Sequence, residues 1–318
     1  MLASKGEQFV QPITSAVYLR CKNAQYGICN WLTAKADTYC ESCALSRTIP
    51  DLSSPHNVER LGEVERAKRR VLYALGRLRL PVASKQTTAS GLCFDVLATL
   101  PGEKVVIGHA DGVITIALDE ADPVHRERQR CTLGEAYRTV LGHLRHEIGH
   151  YYFTRLVEGT PQQGPFRELF GDERCDYQAA LERHYKGDSE AGWEQDFVTP
   201  YAAAHPWEDW AESWAHYMHT TSASETALCH GLQSDTEEVN EATREVIDGN
   251  PVSRASFDKF MQFWAETSVV LNELNRSMGV AEAYPFIVRE KVTDKLYFVH
   301  RTIVERKDLS SAGITSAA

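Results

Sequence analysis

Between Thr132 and Val157 the apolar residues Val140, Leu144 and Ile148 recur at every fourth position, the period of a helix with one buried stripe. Thr132 followed by Glu135 has the form of a capping box, so the helix is expected to begin there. A second stripe, Leu61, Val64, Val71, Leu75 and Leu78, predicts a helix over 58–80 that Pro81 ends. Arg66, Lys68, Arg69 and Arg70 fall on its other faces, where a solvated surface is the plain expectation. Over 90–120 the period changes to strands: Leu92–Leu97, then Val105–Ile107, a turn at Ala110-Asp111-Gly112, and the alternating run Val113–Leu118. Asp119–Arg130 reads as a polar loop. Further helices are expected at Phe166–Tyr185, Trp207–Thr220 and Phe257–Met278, and over Ala281–Glu305 with an interruption at Pro285.

The best-marked of these helices carries His146-Glu147-Ile148-Gly149-His150, the form H-E-x-x-H. Positions i and i+4 lie one turn apart on one face, so both imidazoles can reach the same metal ion. Glu147 sits beside them, placed to take a proton from a water activated at the metal, which is the chemistry of a zinc hydrolase.

Two histidines need a third protein ligand. Positions 153 and 156 are Phe153 and Leu156, so the chain lacks the G-x-x-H that would continue the motif as in metzincins. A glutamate from a later helix is the alternative. In Trp207-Glu208-Asp209-Trp210-Ala211-Glu212-Ser213-Trp214-Ala215-His216, the residues Trp207, Trp210, Ala211 and Trp214 would press the helix into a core. A carboxylate anchored on such a helix needs a reason to be buried, and binding a cation is one. Glu208 is assigned as the ligand. Glu212, one turn on, would accept from a ligand imidazole N–H. Asp172, Glu173, Glu212 itself and His205 remain rival ligands, and His143 points off the metal face.

Of eight cysteines, four crowd into one stretch as Cys21, Cys29, Cys40 and Cys43, spaced C-x7-C-x10-C-x2-C. Cys40 and Cys43 form a knuckle that can face one zinc, so the four predict a structural zinc ribbon rather than disulfides. A ribbon this small would draw much of its stability from the metal. The hydrophobic fraction of 43% and charged fraction of 25% are those of an ordinary globular protein. The net charge of −10 argues against nucleic acid as a partner. No run of about 18 apolar residues suggests a membrane span, and the first residues lack the apolar core of a signal peptide. A cytoplasmic protein is expected.

The sequence resembles the bacterial family of zinc-binding metallopeptidases with a cysteine-rich N-terminal segment. The likeness is carried by Tyr26–Trp31, Arg47–Leu52, Arg145–Tyr152, Phe170–Glu173 and Trp207–Tyr217, and spans about residues 16–305. Members often begin with a further C-x2-C ribbon, which this chain does not have. The resemblance implies a zincin fold and peptidase chemistry and leaves the substrate open. A more distant likeness, confined to the metal helices, is to peptidases of the anthrax lethal factor type. There a helix beginning E-x-x-A-E supplies the zinc glutamate from its first acid, as Glu208 to Glu212 would here. A tyrosine shortly before it steadies the oxyanion, a role this likeness offers to Tyr201.

The chain is therefore expected to be α+β. A zinc ribbon over 16–50 would precede a mainly helical zincin-like core with a small antiparallel sheet over 58–308, and a loose tail would occupy 309–318. Two zinc ions are implied, one catalytic on His146, His150 and Glu208, and one structural on the four cysteines. A peptide or protein is the expected substrate, with a protein partner for the ribbon in view. The competing readings are an adaptor whose zincin core is catalytically silent, and a hydrolase of a non-peptide bond.

Overall fold

The computed structural model describes residues 3–5, 8–99, 102, 105–187 and 192–306. The tail expected over 309–318 lies outside them. The fold is mainly helical α+β with two small sheets, and it divides into two units.

The first unit comprises Met1–Tyr73, Val82–Gly134 and Arg138–Leu144. It opens with an antiparallel meander of β1 (Ala3–Lys5), β2 (Gln8–Val10), β3 (Val17–Arg20) and β4 (Leu32–Thr33). A short helix α1 (Glu41–Ala44) follows, then β5 (Ser46–Thr48) and the long helix α2 (Pro55–Arg77). The second sheet has the order β5-β6-β8-β7, with β6 (Cys93–Leu97), β7 (Gly108–Ala110) and β8 (Val113–Ala117). It is mixed: β6 runs parallel to both β5 and β8, and only the β7–β8 hairpin is antiparallel. Asp111 and Gly112 both have positive φ (46° and 75°), which sets a two-residue turn with Ala110 opposite Val113. The pairing therefore falls on Gly108–Ala110 rather than on Val105–Ile107. Gly112 could carry no side chain, since a Cβ would meet the carbonyl oxygen of Gly91 at 2.1 Å.

The run Asp119–Arg130 is not a loop. Asp122 accepts from the backbone N–H groups of Val124 and His125, Pro123 takes the first helical position, and α3 (Pro123–Leu133) runs on to Gly134 in the left-handed conformation. Thr132 thus lies in the last turn of α3 and starts nothing. The next helix, α4 (Val140–Leu156), begins where Thr139 Oγ1 accepts from Gly142 N–H at 2.9 Å.

The second unit comprises Ala74–Pro81, Glu135–Tyr137 and the chain from Arg145 onward. Its helices are the later part of α4, α5 (Gln163–Phe170), α6 (Tyr177–Tyr185), α7 (Pro206–Cys229), α8 (Glu237–Ile247), α9 (Arg254–Ser277) and α10 (Glu290–Val304). The single helix expected over Phe166–Tyr185 is two, because Gly171 at φ 100° leaves helical geometry and Asp176 caps α6 afresh. The last helix starts at Glu290 rather than Ala281. The stretch around Pro285 is held outside it by the Asn272 side chain, which donates to Tyr284 C=O and accepts from Tyr284 N–H. Helix α7 is the axis of the unit, with Trp210, Ala211, Trp214, Tyr217 and Met218 fully buried. Among the described residues no helix is long and apolar enough to cross a membrane.

Candidate metal centres

Two helices build the first centre. Helix α4 brings His146, Glu147 and His150, and α7 approaches it closely at Gly149, where a Cβ would lie 3.1 Å from both Ala211 Cα and Trp214 Cβ. That approach brings Glu208, in the first turn of α7, against the histidines. The distance from His146 Nε2 to Glu208 Oε2 is 2.9 Å, from His150 Nε2 to Glu208 Oε2 3.4 Å, and between the two Nε2 atoms 3.1 Å. Around a tetrahedral zinc with bonds of about 2.0–2.1 Å, neighbouring ligand atoms stand about 3.3 Å apart, so the donor set fits zinc. All three residues are buried. Burial opposes charge on His146, but Glu208 and Glu212 on its two sides outweigh that and raise its pKa well above the usual value. Burial would likewise neutralise Glu208, yet His150 and His146 hold its carboxyl well below the ordinary range.

A second layer holds these groups. Glu212 Oε1 lies 2.7 Å from His146 Nδ1, and Glu212 Oε2 accepts from Thr199 Oγ1 at 2.8 Å. Thr199 also accepts from Ala202 N–H, fixing the turn that carries Tyr201. The Tyr201 ring lies 5.8 Å from the His146 ring, and the Trp207 indole lies 4.1 Å from the His150 ring. Tyr177, at the start of α6, donates to Glu208 Oε1 at 2.6 Å. Burial and then the neighbouring charge of Glu208 raise the pKa of both tyrosines, and Glu147 adds to the effect on each, so both keep their protons at neutral pH. Tyr177, Thr199 and Trp207 carry no local sequence signal for these contacts. Tyr177 stands 31 positions before Glu208, a separation that only tertiary folding closes.

The rival ligands are engaged elsewhere. Glu173 is bound by Arg167 and Gln163, and Asp172 by Arg174. His205 caps α7, its Nδ1 accepting from Trp207 N–H while its Nε2 lies 3.2 Å from Cys175 C=O. His143 lies 3.7 Å from Glu120. Asp209, next to Glu208, turns the other way and pairs with the buried Lys295 at 2.7 Å.

The second centre is in the first unit. Cys21 leads into a 3-10 turn (Lys22–Tyr26), Cys29 follows the left-handed Gly27, Cys40 precedes α1 and Cys43 lies within it. Their four sulfurs lie within 4.8 Å of one another and all four residues are buried. Cys29 and Cys40 Sγ are 3.6 Å apart, close to the spacing of about 3.8 Å that tetrahedral Zn–S bonds of about 2.3 Å require. Backbone N–H groups of Trp31 and Cys40 point at the sulfurs of Cys29 and Cys21. Hydrogen bonds from Cys40 and Cys43 lower the Cys29 thiol to about 2, whereas Cys40 is pushed up to about 12 and Cys43 further. Without a cation, the cluster resists a second and third thiolate.

The basic run on α2 is not a solvated surface throughout. Arg69 is buried and donates to Ile28 C=O beside Cys29, where its charge favours the thiolate. Lys68 is fully buried, bonded to Glu65 (2.6 Å) and Ser46 (2.5 Å), and Glu65 lies 3.8 Å from Cys43 Sγ. Lys68 stands four positions after Val64 and three before Val71, so it falls on the buried stripe itself and not on another face of the helix.

The family described as "Putative zinc-binding metallo-peptidase" matches residues 57–302, and a zinc-ribbon domain matches residues 2–54. Relatives include uncharacterized proteins of Mycobacterium bovis and of two strains of Mycobacterium tuberculosis. Each is 39% identical over 289 residues, covering 90% of this chain and 82% of the relative. No solved structure matches.

Proposed function

This chain belongs to the zinc-binding metallo-peptidase family and carries its zinc-ribbon domain at the N-terminal end, and from that membership we propose that it hydrolyses peptide bonds. His146, His150 and Glu208 would hold the catalytic zinc. The observation that carries this reading is the convergence of their three ligand atoms at 2.9–3.4 Å, with Glu147 in the same helical turn. Zinc held there supplies Lewis-acid chemistry, lowering the pKa of water towards about 7 and polarising the scissile carbonyl. Glu147 takes the proton of the attacking water and delivers it to the leaving amine. Tyr201, protonated at neutral pH, donates to the developing oxyanion. Glu212 fixes the tautomer of His146 by accepting from Nδ1–H.

A structural zinc on Cys21, Cys29, Cys40 and Cys43 would complete the ribbon over 16–50, leaving 58–308 as the peptidase core. A cluster of four metal-binding thiols suits a reducing compartment such as the cytoplasm, and the ribbon offers a surface for a protein partner.

The test is digestion of a peptide library by wild type and by Glu147→Gln, with zinc measured in both. Wild type should hold two zinc ions per chain and cleave, whereas the variant should keep both ions and lose about a hundredfold or more in turnover. Undiminished cleavage by a fully metallated Glu147→Gln would sink the mechanism.

A further inference from the structure

We propose that Tyr177 is a positioning residue for the catalytic metal, holding Glu208 so that a single carboxylate oxygen faces the two histidines. The proposal rests on the metal ligands assigned above and extends them to a residue outside both metal helices.

Glu208 is almost completely buried, at 1% exposure, so both carboxylate oxygens must be served by the protein or by a bound ion. They are served differently. Oε2 faces His146 and His150, whereas Oε1 accepts from the Tyr177 hydroxyl at 2.6 Å.

The ring of Tyr177 has little freedom to leave. It makes edge contacts with Trp207 at 5.5 Å and with His205 at 5.2 Å. His205 is itself fixed as the cap of α7, and Asp176 caps α6 one residue before the tyrosine. Both partners of the 2.6 Å bond thus sit in capped first turns whose side chains pack on each other.

The consequence is chemical. A catalytic zinc needs three protein ligands and one open position. A glutamate free to turn could offer both oxygens and fill that position. A phenol donating to Oε1 engages that oxygen and holds the carboxylate plane, leaving Oε2 as the ligand. Outer partners of this kind typically contribute about 10- to 100-fold in metal affinity.

The experiment is competition of the full-length protein with a chelator for zinc, in wild type, Tyr177→Phe and His146→Ala, with cobalt absorption spectra of the first two to report coordination number. Phenylalanine removes one oxygen and keeps the ring contacts, and retention of the ribbon zinc checks that each variant is folded. We expect Tyr177→Phe to bind zinc at the histidine site about 10- to 100-fold more weakly and its cobalt spectrum to shift towards higher coordination. Unchanged affinity and spectrum, with or without a loss of turnover, would overturn the positioning role. If His146→Ala keeps the same zinc content as wild type, the metal site itself is wrongly assigned and the proposal falls with it. If His146→Ala loses one ion and Tyr177→Phe behaves as wild type, only the proposal falls.

Discussion

The indole of Trp210 donates to the carbonyl oxygen of Gly149 at 2.8 Å, within the H-E-x-x-H turn itself. This bond ties α7 to α4 beside the close approach of Gly149 to Ala211 and Trp214; its donor is two residues from Glu208 and its acceptor one from His150. The small residue inside the motif is thus a spacer between the helices that carry His146, His150 and Glu208.

Gly149→Ala puts that spacer to the test. Alanine favours a helix by about 1 kcal/mol over glycine, so an isolated α4 would gain. In the fold its Cβ would stand 3.1 Å from Ala211 and Trp214, and α7 must yield by a few tenths of an ångström. We expect a net loss of about 1–3 kcal/mol by denaturant unfolding, together with weaker zinc binding because Glu208 moves with α7. A variant more stable than wild type with unaltered zinc affinity would show that the contact does not set the helix spacing.

Much of this centre is legible in the sequence because its parts are local. The two histidines share one turn, and the tryptophans that bury α7 repeat at helical spacing around Glu208. What escapes is whatever depends on two segments meeting. Tyr177 reaches Glu208, and Arg69 reaches the Ile28 carbonyl, only through the fold. The misread start of α4 has a different cause. Thr132 and Glu135 fit a capping box, but Gly134 between them terminates α3 in the left-handed conformation, and the stronger signal in Asp122-Pro123 lay ten residues earlier. Helix α8, with Val239, Ala242, Val246 and Ile247 buried, went unanticipated although its apolar positions follow the helical period.

Glu212→Ala should separate metal binding from proton transfer. The carboxylate orients His146 through Nδ1 and is itself held by Thr199. Its removal leaves the imidazole free to turn or to adopt the other tautomer. Zinc affinity at the histidine site should fall about 10- to 100-fold, measured against a chelator, while the ribbon zinc is kept. Thr199→Val should show a smaller change in the same direction, and no change in either variant would leave Glu212 without this role.

Lys68→Met should be among the more damaging substitutions away from the metal ligands. Lys68 and Glu65 are both buried, bonded at 2.6 Å, and the carboxylate faces Cys43 Sγ. Removing the lysine leaves a buried carboxylate without its partner, beside a sulfur that must be a thiolate to bind metal. Breaking one side of such a pair costs about 3–5 kcal/mol, whereas replacing both members with apolar groups is often close to neutral. We therefore expect Glu65→Leu/Lys68→Met to be more stable than Lys68→Met alone, and to hold the ribbon zinc more tightly. A double variant as unstable as the single one would locate the effect in lost packing over Phe94, whose ring lies 5.3 Å from Lys68 Nζ.

The acid limb of stability should be set in part by His300, which belongs to neither candidate metal cluster. Its ring is fully buried, with Nδ1 2.9 Å from the Tyr217 hydroxyl and Nε2 3.1 Å from Asn250 C=O, an arrangement that suits the neutral tautomer protonated on Nε2. Burial lowers its pKa from 6.5 to about 4. Above pH 6.5 the imidazole is neutral in both folded and unfolded chains and contributes no pH dependence. Between 6.5 and 4 the unfolded chain binds the proton more readily, so stability falls as the pH falls through that window, by up to about 3 kcal/mol in all. His300→Gln removes the titration. Its unfolding free energy should lie below that of wild type at pH 8, with the gap narrowing steadily towards pH 4. Parallel curves across that range would mean that His300 is protonated in the folded state as easily as in the unfolded chain.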